Sequence, residues 1–183
     1  MIKPWRILER RVLLERPPWF TVGEQDVELP DGEVLRGYNW ITMRSFAIVV
    51  PLLDGGRTIL ARSYKLGVNA ISLSLPAGYL EEGEEPLDGA KRELREETGH
   101  ESSEWLPLGR YVVDGNYGSG YMHAFIAKAA AKVCEPNSGD HEEQELLVMP
   151  FGDALAKLRS GEVAQLSTAA ALGLAAIALG EGR

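Results

Sequence analysis

The chain has 183 residues, a formal net charge of −8, 45% hydrophobic residues and 25% charged residues. These values suit one globular domain with a core large enough to fold unaided, and they exclude disordered, collagen-like and low-complexity chains. With 19 Lys and Arg against 27 Asp and Glu, the chain lacks the general basic footprint of a nucleic-acid binder, so nucleic acid is not the expected partner.

The first residues, Met1 to Arg11, are charged at short intervals and contain no apolar h-region, so no secretory signal is expected. Strands are predicted over Arg6–Leu14 and Trp19–Leu29, where β-branched and aliphatic residues mix with polar ones. Pro30-Asp31-Gly32 is a turn: proline presets φ and glycine accepts a positive φ. Val34–Met43 is the return strand. Ser45–Leu53 is a near-continuous apolar run, which marks a strand buried on both faces. Asp54-Gly55-Gly56 closes a hairpin to Thr58–Tyr64, and Ile71–Leu75 is a short strand ending at Pro76-Ala77-Gly78.

The period then changes. Pro86–Thr98 is predicted as a helix, with proline at its first position and Gly99 just past its end. Leu87, Ala90, Leu94 and Thr98 fall on one face, and Gly89 inside the helix points to close packing. Further strands are expected at Trp105–Val113, Tyr121–Ala127 and Glu145–Met149. Helices follow at Asp153–Arg159 and Ser167–Leu179, the last capped by Ser167 or Thr168. The apolar stretch Val163–Leu179 falls short of the roughly 20 residues of a membrane span and is mostly alanine. No membrane association is expected. Cys134, the only cysteine, reads as a small buried or partly buried residue, and a single cysteine favours a reducing compartment, the cytoplasm. The elements make a mixed β-sheet with three helices, an α/β domain.

The helix Pro86–Thr98 is unusually acidic at its C-terminal end. Glu93, Glu96 and Glu97 stand at i, i+3 and i+4, which puts their carboxylates on one side. Carboxylates there oppose the helix dipole and repel one another, so the arrangement lowers stability unless a cation sits among them. Hard divalent cations take oxygen ligands, and Mg²⁺ takes carboxylates together with substrate phosphates. Arg92 is placed to fix one carboxylate by a bidentate pair.

The whole span is more specific. It runs Gly78, five positions, Glu84, seven positions, Arg92-Glu93-Leu94, one position, Glu96-Glu97, one position, Gly99. This resembles the Nudix box, G-x5-E-x7-R-E-U-x-E-E-x-G-U with U aliphatic, at every fixed position except the last, where His100 stands. His100 reads as a helix-end residue facing solvent. Leu75-Pro76-Ala77-Gly78, Glu82-Gly83-Glu84-Glu85-Pro86, Ser63-Tyr64-Lys65, the acidic loop Asp140 to Glu145 and Ser160-Gly161-Glu162-Val163 resemble the ADP-ribose pyrophosphatase-like branch of the Nudix hydrolases.

The resemblance implies the Nudix fold, a mixed sheet sandwiched between helices, with an N-terminal antiparallel strand extension over residues 1–44 and the hydrolase domain over 45–183. In the branch such extensions commonly build a homodimer. The implied reaction is metal-dependent hydrolysis of the diphosphate in a nucleoside diphosphate linked to X, with ADP-ribose or another nucleotide sugar as the leading substrate. Dinucleotide polyphosphates, coenzymes, capped RNA or a catalytically silent nucleotide sensor are the other readings. Carried over, Glu93 and Glu97 hold Mg²⁺ or Mn²⁺, Glu96 binds metal or assists, and a backbone carbonyl of Ala77 or Gly78 completes the set. Arg92 orients the glutamates, and Glu84 supports the loop or an outer metal. The base is Glu142 or Glu143, with His141 the only histidine that competes. Lys65, Trp19, Trp40 and Tyr117 are the candidate substrate contacts, the aromatics by stacking on a base. The chain departs from the branch in three places: no proline in Val113–Gly120, Lys65 in place of arginine, and Ser74 in place of glutamate. Each lies at or beside a position that faces substrate, so the resemblance carries the reaction further than the identity of X.

Overall fold

The structure is a computed structural model that describes residues 1–139 and 143–181. Among the described residues twelve strands and three helices occur in the order β1 (Arg6–Arg16), β2 (Phe20–Glu28), β3 (Val34–Met43), β4 (Phe46–Leu53), β5 (Arg57–Lys65), β6 (Ala70–Ser74), β7 (Ala77–Tyr79), α1 (Pro86–Thr98), β8 (His100–Glu101), β9 (Glu104–Asp114), β10 (Gly118–Lys128), β11 (Ala131–Lys132), β12 (Gln144–Pro150), α2 (Phe151–Ser160) and α3 (Leu166–Leu179). They divide into two compact units. One comprises Met1–Ser45 with Tyr111–Tyr121, the other Phe46–Arg110 with Met122–Arg183. The tip of the β9–β10 hairpin therefore clusters with the N-terminal strands, which the expected extension over residues 1–44 did not include.

In the first unit β1, β2 and β3 form an antiparallel meander. Its turn is the expected one: Gly32 takes φ 91° and donates its N–H to the Leu29 carbonyl at 3.0 Å. Side-chain pairs lie directly across the β1–β2 ladder: the ion pairs Arg6 with Glu28 and Arg11 with Glu24, and the hydrogen bond from Arg10 to Gln25. Such cross-strand pairs contribute about 0.2–1 kcal/mol each. β1 needs them, because its apolar residues are largely exposed: Leu13 is 62% exposed and Val12 55%. Asp26 is the buried charge of this unit. Its carboxylate accepts from Arg11 Nη2 at 2.7 Å, Arg36 Nη1 at 3.0 Å and the Gly37 N–H at 3.1 Å.

The second unit is built around β4. It pairs in parallel with β10 from Phe46–Met122 to Pro51–Ala127, antiparallel with β7, and at its end with β5. β5 in turn carries β6 and β12. Period-two alternation splits β4 between two cores. Ala47 and Val49 face Ala90 and Leu94 of α1 with Phe125 and Ala127. Ile48 and Val50 face Leu60, Ile126 and the α2 and α3 residues Phe151, Ala154, Ala171, Leu172 and Ala175. The apolar run thus has helices on both sides, which is why it carries no polar alternation.

Two local expectations are corrected. The N-cap of α3 is Gln165 and no side chain caps the helix. Thr168 lies inside the first turn, where its hydroxyl accepts the Leu75 N–H at 3.3 Å. His100 does not face solvent freely: it is half-buried in β8, paired with Lys132 of β11, and its Nδ1 meets the Thr98 carbonyl at 2.8 Å. Gly89 packs closely as expected, since a Cβ there would meet Leu80 at 2.5 Å. Among the described residues no helix is long and apolar enough to cross a membrane.

The Asp26 cluster yields a test. The Arg11 guanidinium, then the Gly37 N–H, holds the Asp26 carboxyl below its ordinary value near 3.8. A folded-state pKa below the unfolded one gives stability that is complete above about pH 4 and is lost as pH falls through the lower folded value. Asp26→Asn is expected to lower the melting temperature at pH 7 and to flatten the loss of structure below pH 4. Tryptophan fluorescence is the measurement, since Trp5, Trp19 and Trp40 all lie in this unit.

Candidate active site

The acidic end of α1 is set by how the helix is anchored. Pro86 occupies the first turn, and Gly99 closes the helix at φ 71° with its N–H on the Arg95 carbonyl at 2.8 Å. Ala90 and Leu94 are completely buried against β4 and β10, with Leu87 packed beside them. This fixes the rotation of the helix and leaves Arg92, Glu93, Glu96 and Glu97 on the turns that face the preceding loop and β7. Glu93 is itself buried, at 8% exposure.

Arg92 is the hub. Its Nε and Nη2 donate to the two carboxylate oxygens of Glu84 at 2.9 and 3.0 Å, a bidentate fork. Its Nη1 donates to Glu93 at 2.5 Å and to Glu96 at 3.2 Å, and its Nη2 also reaches the Tyr79 carbonyl at 3.2 Å. Glu84 accepts the Glu81 N–H at 2.9 Å as well, so one ion-pair network closes the acidic loop onto the helix. Glu84 first, then Glu93, pushes the Arg92 guanidinium to an even higher pKa, so it is charged at any ordinary pH.

β4 supplies the other wall. It pairs Ala47 with Gly78 and Ile48 with Ala77, and the Val49 N–H donates to the Pro76 carbonyl at 2.9 Å. A Cβ on Gly78 would occupy the place of the Glu93 carboxylate, so the backbone at Gly78 lies directly against it. Ala77 and Glu97 also line a small polar pocket of about 60 Å³, together with Lys65, Ser74 and Gln144. The Gln144 Nε2 donates to the Glu97 carbonyl at 3.4 Å.

The expected residues do not all come together. Arg92, Glu93 and Glu96 come together with Gly78; Glu97, Lys65 and Ala77 share the adjoining pocket. Trp19, Trp40 and Tyr117 belong to the first unit. There the Trp40 ring sits against Gly23 and under the Arg10 guanidinium at 5.4 Å, with its Nε1 donating to the Glu24 carbonyl at 3.2 Å. Tyr117 lies 6.3 Å from Tyr38, and Trp19 is 56% exposed. Glu143 lines a separate groove of about 590 Å³ with Arg62, Tyr64, Ile71 and Glu145. Glu142 and His141 lie outside the described residues. His123, half-buried in β10, has its pKa lowered by burial and then by Arg110, which leaves it neutral near pH 7.

The spacing of Glu93, Glu96 and Glu97 predicted one carboxylate cluster in need of a cation. Among the described residues no three Asp, Glu, His or Cys side chains converge into a cage, and the cation between Glu93 and Glu96 is the Arg92 guanidinium. Sequence reasoning missed Gln144 and Gln165, which line the Glu97 pocket, because single glutamines at element ends carry no periodic or charge signal.

Arg92→Ala would leave Glu84 and Glu93, only 14% and 10% exposed, without their cation. Removing one partner of a largely buried pair costs about 2–4 kcal/mol where some solvent reaches it. Arg92→Lys is expected to recover little, since an ammonium cannot span the Glu84 fork. Urea denaturation of the three proteins checks both statements.

Comparison with known proteins agrees with this geometry. The NUDIX domain family matches residues 41–168. The chain is 30% identical over 150 residues to an ADP-ribose pyrophosphatase of Bacillus subtilis, covering 81% of this chain and 80% of that one. It is also 30% identical over 165 residues to a CMP-5'-(N-acetyl-N-hydroxy-3-aminopropyl)phosphonate hydrolase of Streptomyces rubellomurinus, covering 90% and 79%. A crystal structure of an ADP compounds hydrolase superposes with a TM-score of 0.82 over 100% of this chain and 98% of its own, at 23% identity, which is a likeness of fold. By its family match, its relatives and the ion-pair hub that closes its Gly78–Gly99 segment, the chain belongs to the Nudix hydrolases, in the ADP-ribose pyrophosphatase-like branch.

Proposed function

We propose that the protein hydrolyses the diphosphate of a nucleoside diphosphate linked to X, with ADP-ribose or a similar nucleotide sugar as substrate and Mg²⁺ or Mn²⁺ as cofactor. The observation that carries this reading is the Arg92 network pressed against the Gly78 backbone. One guanidinium is shared among the carboxylates of Glu84, Glu93 and Glu96, which leaves a local excess of two negative charges, the charge of one divalent cation. The donors there are carboxylate and main-chain oxygens only, the set that hard divalent cations prefer. The residues therefore fit the cofactor: Glu93, Glu96 and Glu97 with a carbonyl of Ala77 or Gly78 would hold it. When bound, it neutralises the diphosphate and acidifies a water.

The chain's own groups divide the remaining work. Arg92 aims Glu93 and Glu96 through its Nη1 hydrogen bonds. Lys65, beside Glu97, binds the diphosphate as a point charge. Glu142 or Glu143 accepts the proton of the attacking water. The water oxygen joins one phosphorus, the bridging P–O bond breaks, and two monophosphates leave. In the first unit the exposed rings of Trp19 and Tyr117 offer flat faces on which a base can stack, whereas the Trp40 ring is occupied by Gly23 and Arg10. The exposed apolar residues of β1, whose outer edge is unpaired among the described residues, suit a second copy of the chain, so the working form is a homodimer.

The test is incubation of the purified protein with Mg²⁺ and a panel of nucleoside diphosphate derivatives, with released monophosphate as the readout. Glu97→Gln is expected to retain the fold and lose at least about a hundredfold in turnover. Mn²⁺ is expected to raise the melting temperature of the wild type and to raise it less in a Glu93→Gln/Glu97→Gln double variant. Normal turnover in Glu97→Gln overturns the metal-site assignment. For the base, Glu142→Gln, Glu143→Gln and His141→Ala are compared; loss only in the histidine variant transfers that role to the imidazole.

A further inference from the structure

β1 is the edge strand of the first unit. β2 pairs one side of it, and no strand among the described residues pairs the other. Its side chains are exposed on both faces along almost all of Arg6–Arg16. Most of its charges are nonetheless committed. Arg6 pairs with Glu28, Arg10 donates to Gln25, and Arg11 is shared among Glu9, Glu24 and Asp26. Two are not. The side chains of Glu15 and Arg16 make no hydrogen bond or ion pair among the described residues. A long edge with open backbone groups, exposed apolar side chains and two spare opposite charges is a template for another strand.

The order of charges in β1 selects that strand. Two copies of β1 can lie antiparallel about a two-fold axis, and each register sets particular residues opposite one another. With the axis between Val12 and Leu13, Glu9 stands opposite the partner's Arg16, and Arg10 opposite the partner's Glu15. Symmetry repeats both pairs, so the two spare charges meet opposite charges at both ends of the ladder. Val12 and Leu13 oppose each other at the centre, beside Leu14, and the three are 55%, 62% and 43% exposed. An apolar centre within a charged rim is the ordinary anatomy of an interface. Neighbouring registers are worse: one step either way sets Glu9 against Glu15 or Arg10 against Arg16, like charges directly opposite. The bulge of β1 between Val12 and Leu14 falls at the axis, so Glu9–Val12 and Leu14–Arg16 stay regular on either side of it. Pro17, with no N–H, ends the ladder. Such self-complementarity is what a two-fold interface requires and what a different partner would not. We infer that β1 pairs antiparallel with β1 of a second copy in this register, which joins the two β1–β2–β3 meanders into one sheet. The inference rests on the proposed homodimer and adds its partner strand, its axis and its ion pairs.

Sedimentation equilibrium of the full chain tests this. Wild type is expected to dimerise. Glu15→Arg and Arg16→Glu reverse side chains that have no partner within the chain, and each is expected to weaken the dimer at least about tenfold, since symmetry applies every change twice. Adding Arg10→Glu to Glu15→Arg is expected to restore most of the loss, a rescue that misfolding cannot produce. Disulfide trapping in a Cys134→Ser background reads the register. Positions 10 and 15 of one chain are roughly 16 Å apart along an extended strand, too far for a bridge within it. Arg10→Cys/Glu15→Cys is therefore expected to give a covalent dimer on oxidation. Arg10→Cys/Arg16→Cys, one step out of register with its side chains on opposite faces, is expected to give far less. A dimer indifferent to both charge reversals, or better trapping of the shifted pair, overturns the inference and leaves the homodimer to another face. A wild type that sediments as a monomer overturns both.

Discussion

One guanidinium holds the site together. Arg92 donates to three carboxylates and one carbonyl, and these acceptors come from the loop after β7, from β7 itself and from α1. A planar fork is the side chain suited to this, because its donors are fixed relative to one another and serve Glu84 bidentately while still reaching Glu93. The loop from Leu80 to Glu85 has no strand or helix of its own. Its position depends on Glu84, which bonds both to Arg92 and to the Glu81 N–H. Without the guanidinium, the Glu84 carboxylate would lose its tie to the helix, and the Glu85 carbonyl, which accepts the Asp88 and Gly89 N–H groups, would still join loop and helix through the backbone.

Burying Glu93 against Gly78 is unfavourable in isolation, since an ionised carboxylate gives up water there. The offset comes from elsewhere on the same helix. Ala90 and Leu94 are driven into the core on the neighbouring side, and their burial, at about 25 cal/mol per Å² of apolar surface, fixes the helix at a height where Glu93 has no other place to go. The core thus positions a charge that the core itself would reject, and Arg92 limits the cost. Glycine at position 78 is the matching requirement on the strand side, because any side chain would compete with the carboxylate for one volume.

Much of this was legible in the chain. The β3 and α1 boundaries follow from hydrophobic period and from Pro86 and Gly99, since those signals are local. The continuous apolar run of β4 told that both its faces are covered. What was not legible depends on distant partners. β7, β8 and β11 are two or three residues long and exist only because Ala47, Glu101 and their neighbours offer backbone partners, so no periodicity can mark them. Helical spacing put Glu93, Glu96 and Glu97 on one side but could not show that Arg92 would divide them, because the rotamer of an arginine is set by Glu84, eight residues away. Ser167 and Thr168 are good capping residues by type, yet the N-cap is Gln165, two and three residues earlier, and Thr168 is used to tie the helix to Leu75.

The division of carboxylates has a chemical consequence. Glu93 and Glu96 are tied to a fixed cation, while Glu97 looks into a pocket whose other walls are mainly donors. A site whose acidic groups all pointed to one spot would bind a divalent cation tightly even without substrate. Among the described residues no such cage closes, and Mg²⁺ is the cation that accepts few protein carboxylates and draws the rest of its ligands from water and substrate phosphates, so on the proposed reading the substrate would supply oxygens that these side chains do not. On that reading substrate and cation would each complete the other's binding site, which would couple their affinities in both directions.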